Sequence, residues 1–275
     1  MGVYTKSEKI AQMIIHLFFI VLCLLVVLPF LLLFLSSITD ESTLILNGYS
    51  FFPKKFSFDA YRYIFRSGAS LVRALGVSVL ITVAGTAGSL LITPMLAYPL
   101  SRPEFKYRGV VTFMIFFTML FNGGMVSSYI MWTRYLNVKN TIWALLFPNL
   151  LMNAFNVILV KNFFVADIPN ELVESARIDG AGEFKIYFSI VLPLSKAIMA
   201  TIGLFTAIGY WNDWTNGLYY ITKRTDLFSL QNYLNRILQD IQYLSSSANK
   251  AAAHTTSMAM PTTSVRMALA VVGVI

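Results

Sequence analysis

Two histidines, one cysteine and one carboxylate deep in an apolar run are the side chains with which this 275-residue chain could do chemistry. A metal site or a histidine general base would have to draw on His16 and His254, which are lone residues far apart in sequence. Cys23 has no second cysteine to pair with, and it reads as a small buried hydrophobe. No G-x-x-x-x-G-K-[ST] loop offers to cradle a nucleotide, no H-E-x-x-H offers zinc ligands, and no G-x-S-x-G presents a nucleophile. Asp213, in "YWNDWTN", is the acid nearest mid-membrane depth, where ion-coupled transporters keep their coupling charge. The other chemistry-bearing feature is a polar island, "ELVESARIDGAGEFKIYFSIVLPL" at 171–194, which sets four carboxylates and two basic residues among Leu, Ile, Val and Phe.

The elements that must position these residues are membrane helices. The chain is 57% hydrophobic and only 12% charged, against roughly 25% charged in soluble domains. A globule of this composition would expose apolar patches that soluble monomers rarely carry, so the expected class is an all-α polytopic membrane protein. A spanning helix needs about 20 apolar residues to cross roughly 30 Å of hydrocarbon. Runs at 10–36, 74–100, 109–131, 141–160 and 197–221 meet that length, and a sixth starts near Ser264. Counting it gives about six transmembrane helices, the last cut short at about 18 Å and apparently truncated at Ile275. The first run is too long for a cleaved secretory signal, whose apolar core is about 7 to 15 residues, so it is retained.

Charge orients the spans. Lys6 and Lys9 precede the first run, Arg102, Lys106 and Arg108 fill the connection after the second, and Lys161, Arg177, Lys185 and Lys196 lie after the fourth. Lys and Arg favour cytoplasmic loops, so these segments and both termini are expected inside. The first external loop also carries Lys54, Lys55, Arg62, Arg66 and Arg73, which makes the asymmetry one of density. Residues 222–263 then form an outer loop. The chain divides into residues 1–70, the first helix with its external loop, and residues 71–275, the main transmembrane domain with a cytoplasmic loop at 165–196. A net charge of +8 suits anionic lipid headgroups, and the scattered basic residues give no nucleic-acid footprint.

Within the island, Pro169 suits a first helical turn, and Glu171 and Glu174 fall where carboxylates favour the positive end of the helix dipole. A short helix is expected over about 169–178, with Ile168, Leu172, Ser175, Ala176 and Asp179 on one side. Gly180 and Gly182 admit backbone angles closed to other residues, and Asp179 can cap a second short helix running through Phe184, Ile186 and Phe188. Such a helix has too few apolar residues to span and too many to be left in water, a pattern that fits docking on a cytoplasmic partner.

This stretch resembles the EAA loop of type I ABC-importer permeases: Glu174-Ser175-Ala176, Asp179-Gly180-Ala181 and Val191-Leu192-Pro193 match its triplet, its Asp-Gly-Ala and its Leu-Pro ending, with Ser175 for the usual Ala. "FNGGMVSSYIMWTRYLNVKNTIWALLFPNL", "NFFVADIPNELVESARIDGA" and "YWNDWTNGL" are similar to the carbohydrate-uptake branch, the maltose-type inner subunit and its relatives, although Trp214 stands where that branch usually has Phe. The resemblance implies a type I permease fold and no catalytic activity in the chain. It also implies that the second short helix seats in a groove of an ATPase subunit, with Glu174, Ser175, Ala176, Asp179, Gly180, Ala181 and Phe184 as the coupling residues. ATP and Mg would be bound by that ATPase. The implied partners are a second homologous permease, the ATPase dimer and an extracytoplasmic sugar-binding protein, in a bacterial plasma membrane.

Sugars are held by aromatic faces and a few placed amides and hydroxyls. Trp211, Asn212, Asn153 and Tyr129 are the candidates for the substrate path, and each amide has the alternative of bonding helix to helix. An ion-coupled secondary transporter working through Asp213 is the rival reading. The basic residues of the first external loop leave both neutral and acidic sugars open.

Overall fold

The computed structural model describes residues 6–66, 68–148, 150–245 and 263–274. Among them the protein is helical throughout, apart from one isolated antiparallel bridge between Thr39 and Phe56. The chain divides into two compact units, Met1–Leu71 with Leu234–Ile275, and Val72–Tyr233.

In the first unit, α1 (Lys6–Ser37), α2 (Glu41–Asn47), α3 (Asp59–Arg66) and the late helix Thr263–Val274 pack together. The 29-residue apolar part of α1, Lys9–Ser37, exposes nearly all its side chains, as a helix in hydrocarbon solvent does. Cys23 is among them, so it faces that solvent and is not buried as the sequence suggested. The late helix gains an N-cap from outside itself. The Glu41 carboxylate accepts from the backbone N–H of Thr263 and of Ser264, each at 2.7 Å, and from the Ser264 hydroxyl at 2.6 Å, which satisfies donors that a helix start leaves free.

In the second unit, α4 (Gly68–Ser101) is a continuous 34-residue helix that contains Pro94 and Pro99 without breaking. It is followed by α5 (Arg108–Leu120), α6 (Gly124–Ile130) with a π turn at Met131–Tyr135, α7 (Trp143–Leu146), α8 (Ala154–Asp167), α9 (Asn170–Ile178), α10 (Glu183–Ile186), α11 (Leu192–Leu194), α12 (Lys196–Trp211) and α13 (Thr215–Tyr220). A further helix, α14 (Leu230–Ser245), lies where an outer loop was expected; the boundary between the units falls within it, and its residues from Leu234 onward belong to the first. It buries Leu230, Leu234 and Ile241 on one face, a helical period masked by its many polar residues. The late helix of the first unit is α15.

Among the described residues two helices, α1 and α4, are uninterrupted and long and apolar enough to cross a bilayer. The third and fifth expected spans are instead broken. Arg108–Leu120 and Gly124–Tyr135 meet at 115°, and the fifth run stops at Trp211 and restarts at Thr215; just before that run, Glu183–Leu194 turns 80° into Lys196–Trp211. The fourth run is not one helix either. It breaks after α7 at Phe147 and resumes only at Ala154, because Pro148 lacks a backbone N–H and Asn153 starts a new helix. Irregular backbone at membrane depth survives only where protein or a water-lined cavity satisfies it.

Two apolar clusters pack along α4, one near its middle and one at its end. Ile81 belongs to one, with Leu145, Tyr210, Tyr220 and Phe228. Ala97, Tyr98 and Leu100 belong to the other, with Phe164, Ile168, Val173, Ile186, Tyr187 and Ile202. The rise from Ile81 to Ala97 is about 24 Å, close to the roughly 30 Å of hydrocarbon. The second cluster is the floor on which the polar island rests.

Candidate functional site

The island folds as helix, glycine turn, helix. Pro169 precedes α9 in extended conformation (φ −58°, ψ 132°), which suits the residue flanking a helix start. Ile168, Val173 and Ala176 turn inward to the apolar floor, while Leu172 is exposed. The buried side of α9 is set by Val173.

The end of α9 is a Schellman turn. Ala181 N–H donates to Ala176 C=O at 2.9 Å and Gly180 N–H to Arg177 C=O at 3.0 Å, with Gly180 at φ +79°, the left-handed conformation that glycine adopts without cost. Ala176 and Ala181 supply the small apolar contact of the motif, both packed on the floor. Asp179 closes α9 and does not cap α10, whose N-cap is Gly182 at an ordinary φ of −72°. That corrects the expectation for Asp179, and it leaves Gly182 without a conformational need for glycine. A π turn at Tyr187–Val191 and the three residues of α11 lead on to α12.

Of the seven residues proposed for coupling, Ala176 and Ala181 face inward, and Glu174, Ser175, Asp179, Gly180 and Phe184 face out. The Ser175 hydroxyl donates to Leu172 C=O at 3.0 Å. Phe184 is 74% exposed, and Ile178, which the sequence did not single out, is 86% exposed. Two bare apolar side chains flank a polar turn. Exposed large apolar groups grouped at one place mark an interaction surface.

Sequence reasoning also missed a charged cluster beside the turn. Arg177 Nε donates to Glu183 at 2.7 Å, and its Nη1 donates to Glu104 at 2.9 Å. The Tyr98 hydroxyl donates to the other oxygen of Glu183 at 2.7 Å. Glu104 is held below the usual carboxylate range by a backbone hydrogen bond of its own and by Arg177, and the two carboxylates raise Arg177, Glu183 first. Arg102 is buried, donates to Asn170 Oδ1 at 3.3 Å and lies 5.1 Å from the Tyr98 ring centre. A cleft of about 480 Å³ opens here, lined by Met95, Tyr98, Arg102, Glu104, Phe184 and Tyr187 among others. The available signal was opposite charge at 177 and 183 across a glycine turn.

The substrate-path candidates fall at the helix breaks. Asn153 Oδ1 accepts from Phe155 N–H at 2.8 Å and Asn156 N–H at 3.4 Å, so it caps α8. Tyr129 stacks on Tyr220, ring centres 5.8 Å apart, and accepts from Lys139 Nζ at 2.7 Å. Trp211 ends α12 half-buried, and Asn212 follows it, exposed. Asp213 Oδ1 accepts from the N–H of Thr215 at 3.1 Å and of Asn216 at 3.2 Å, which starts α13. Asn216 Nδ2 donates to Pro148 C=O at 3.0 Å, and Tyr210 Oη donates to Leu146 C=O at 2.7 Å. Asn149 and His254 lie outside the described residues. Among the described residues no group of three or more His, Cys, Asp or Glu side chains is placed to hold a metal.

Apolar helices broken and recapped at membrane depth, with a polar helix–turn–helix presenting bare apolar side chains beside them, define a membrane permease. The chain belongs to the family of binding-protein-dependent transport system inner membrane components, whose model matches residues 89–275. It is 41% identical over 217 residues to Protein LplC of Bacillus subtilis (strain 168), covering 79% of this chain and 72% of that one. The polygalacturonan/rhamnogalacturonan transport system permease protein YtcP of the same organism is 40% identical over 215 residues, 78% of this chain and 74% of that one. Among solved structures, a chain of a bacterial ABC transporter involved in the import of the acidic polysaccharide alginate superposes with a TM-score of 0.76 at 28% identity, covering 98% of this chain and 94% of that chain.

Proposed function

We propose that this chain is the permease subunit of an ATP-driven importer of oligosaccharides, forming half of the translocation pathway. The polar loop carries the reading. It is built for a partner, with Ile178 and Phe184 bare on either side of the Gly180 turn and the rest of the loop anchored on the floor of α4. Its partner is an ATPase dimer that binds ATP and Mg. A second permease completes the pathway, and an extracytoplasmic binding protein delivers the sugar. Both termini and the loop lie on the cytoplasmic side of the bacterial plasma membrane.

In the cycle, ATP closes the ATPase dimer, the loop travels with it, and the broken helices rock to open the pathway outward. A shift between two states needs an agent that prefers one of them, and the grip of the ATPase supplies it. The substrate is a uronate-rich oligosaccharide, a reading supported by the likeness to the polygalacturonan/rhamnogalacturonan permease and to the alginate importer. The first external loop adds little to that choice. Lys55 already pairs with Asp40 at 3.2 Å and Arg62 with Asp59 at 3.3 Å.

The test is reconstitution of the permease pair with ATPase and binding protein in vesicles. ATP-dependent uptake of oligogalacturonate is expected, with none by the isolated chain. Uptake by this chain alone, without ATP, would overturn the reading.

A further inference from the structure

Three polar ties fasten the loop to one place, the end of α4 and the connection after it. Arg102 holds Asn170 at the start of α9 at 3.3 Å, Glu104 holds Arg177 near its end at 2.9 Å, and Tyr98 holds Glu183 at the start of α10 at 2.7 Å. Arg177 joins them by reaching Glu183 as well, at 2.7 Å, so one guanidinium bridges both sides of the glycine turn and the neighbouring connection. Beneath the ties, Tyr98 and Leu100 share a buried core with Val173, Ile186 and Tyr187. The opposite side of the loop, with Ile178 and Phe184, is bare.

A segment gripped at three points and by a common core moves with the element that grips it. One joined only through its own chain ends would flex and dissipate the displacement. We infer that Arg177 is a positioning residue that, with Glu104 and Tyr98, straps the coupling loop to the cytoplasmic end of α4, so that a pull on Ile178 and Phe184 is delivered to that helix. The inference rests on reading the loop as the ATPase-docking segment. Arginine suits the task because its planar fork serves two carboxylates in fixed geometry, where a lysine would act as a mobile point charge. Both carboxylate side chains are 53% exposed and Arg177 is 29% exposed, and exposed pairs add little to fold stability. Their consequence is in geometry, so it belongs in coupling and not in folding.

The test uses the complete transporter in vesicles and measures ATP hydrolysed per sugar imported for wild type, Glu104→Gln, Tyr98→Phe and the double variant. Each single variant is expected to assemble as wild type does and to raise the ratio roughly two- to fivefold, with a larger rise in the double. An unchanged ratio in all three overturns the strap and leaves ATP-driven import standing. Loss of ATPase from the complex with an unchanged ratio in what remains also overturns it, because the ties would then shape the docking surface only. A wild-type complex that fails to import with ATP overturns the proposed function and the strap with it.

Discussion

Replacement of Gly180 separates two demands on that residue. The first is conformational: at φ +79° a residue with a Cβ costs about 1–2 kcal/mol, and asparagine less, since its short polar side chain tolerates the left-handed region. That cost shifts the population of the turned loop by about five- to thirtyfold. The second demand is space. A Cβ built on Gly180 meets no atom of the chain within 4 Å, so any steric penalty has to come from a partner. Gly180→Asn therefore meets the first demand and fails the second, whereas Gly180→Ala fails the first and only lightly tests the second. The assay is retention of the ATPase on the tagged permease through purification, together with sugar uptake. Gly180→Asn should leave permease yield unchanged and still lose the ATPase. Gly182→Ala, at φ −72° with open space around it, should behave as wild type to within about 0.5 kcal/mol. Full ATPase retention and uptake in Gly180→Asn would refute close approach of the partner at this turn.

Three shorter predictions follow from packing, capping and charge. A Cβ on Gly85 would overlap the Tyr210 ring, and Tyr210 is fully buried, so Gly85→Ala should destabilise by about 1–3 kcal/mol, read as a lower thermal transition of the purified permease. Asn153→Ser keeps a residue of equal capping strength at the start of α8, so yield and uptake should both survive; lost uptake at normal yield would mean that the amide touches sugar. Since the folded pKa of Glu104 is lowered, its ionic tie is fully present above its unfolded value of 4.5 and is lost only as pH falls through the lower folded value. ATP hydrolysed per sugar should therefore be flat from about pH 6 to pH 8, and a rise within that window would contradict the assignment.

The long apolar runs and the helix–glycine–helix of the polar loop were legible because each rests on a local cause: run length in hydrocarbon, and one residue that must take a positive φ. Where the third, fourth and fifth runs break was not legible from hydropathy. "FNGG", "FPNLLMN" and "NDW" are as compatible with a kinked helix as with a stop and restart. Their capping bonds decide the matter, with Asn122 accepting from Gly124 N–H at 2.8 Å, and Asn153 and Asp213 each accepting from two backbone donors. The same bonds explain why Asn153, an amide chosen for the sugar path, turns up as a cap. A break at membrane depth frees backbone donors that must be satisfied, and short polar side chains do so whether or not substrate passes. The Arg177 cluster escaped for a different reason, since Tyr98 and Glu104 reach it only through tertiary packing.

Asp213 bears on where the energy of transport enters. A proton-coupled mechanism through this residue requires its carboxylate to gain and lose a proton in each cycle. Its Oδ1, however, holds the first N–H groups of α13 at 3.1 and 3.2 Å, and a protonated carboxyl accepts such bonds less well. Proton uptake would thus loosen the start of a helix whose Asn216 side chain is bonded to Pro148 C=O. Asp213→Asn tests this directly. The amide oxygen caps a helix as well as a carboxylate does, so an ATP-driven permease should retain uptake, within about twofold, with unchanged response to pH. If Asp213 carried the coupling proton, the same substitution would abolish accumulation while leaving the fold intact. Retained uptake in Asp213→Asn, combined with lost ATPase in Gly180→Asn, would locate the energy input at the loop and leave Asp213 its structural task.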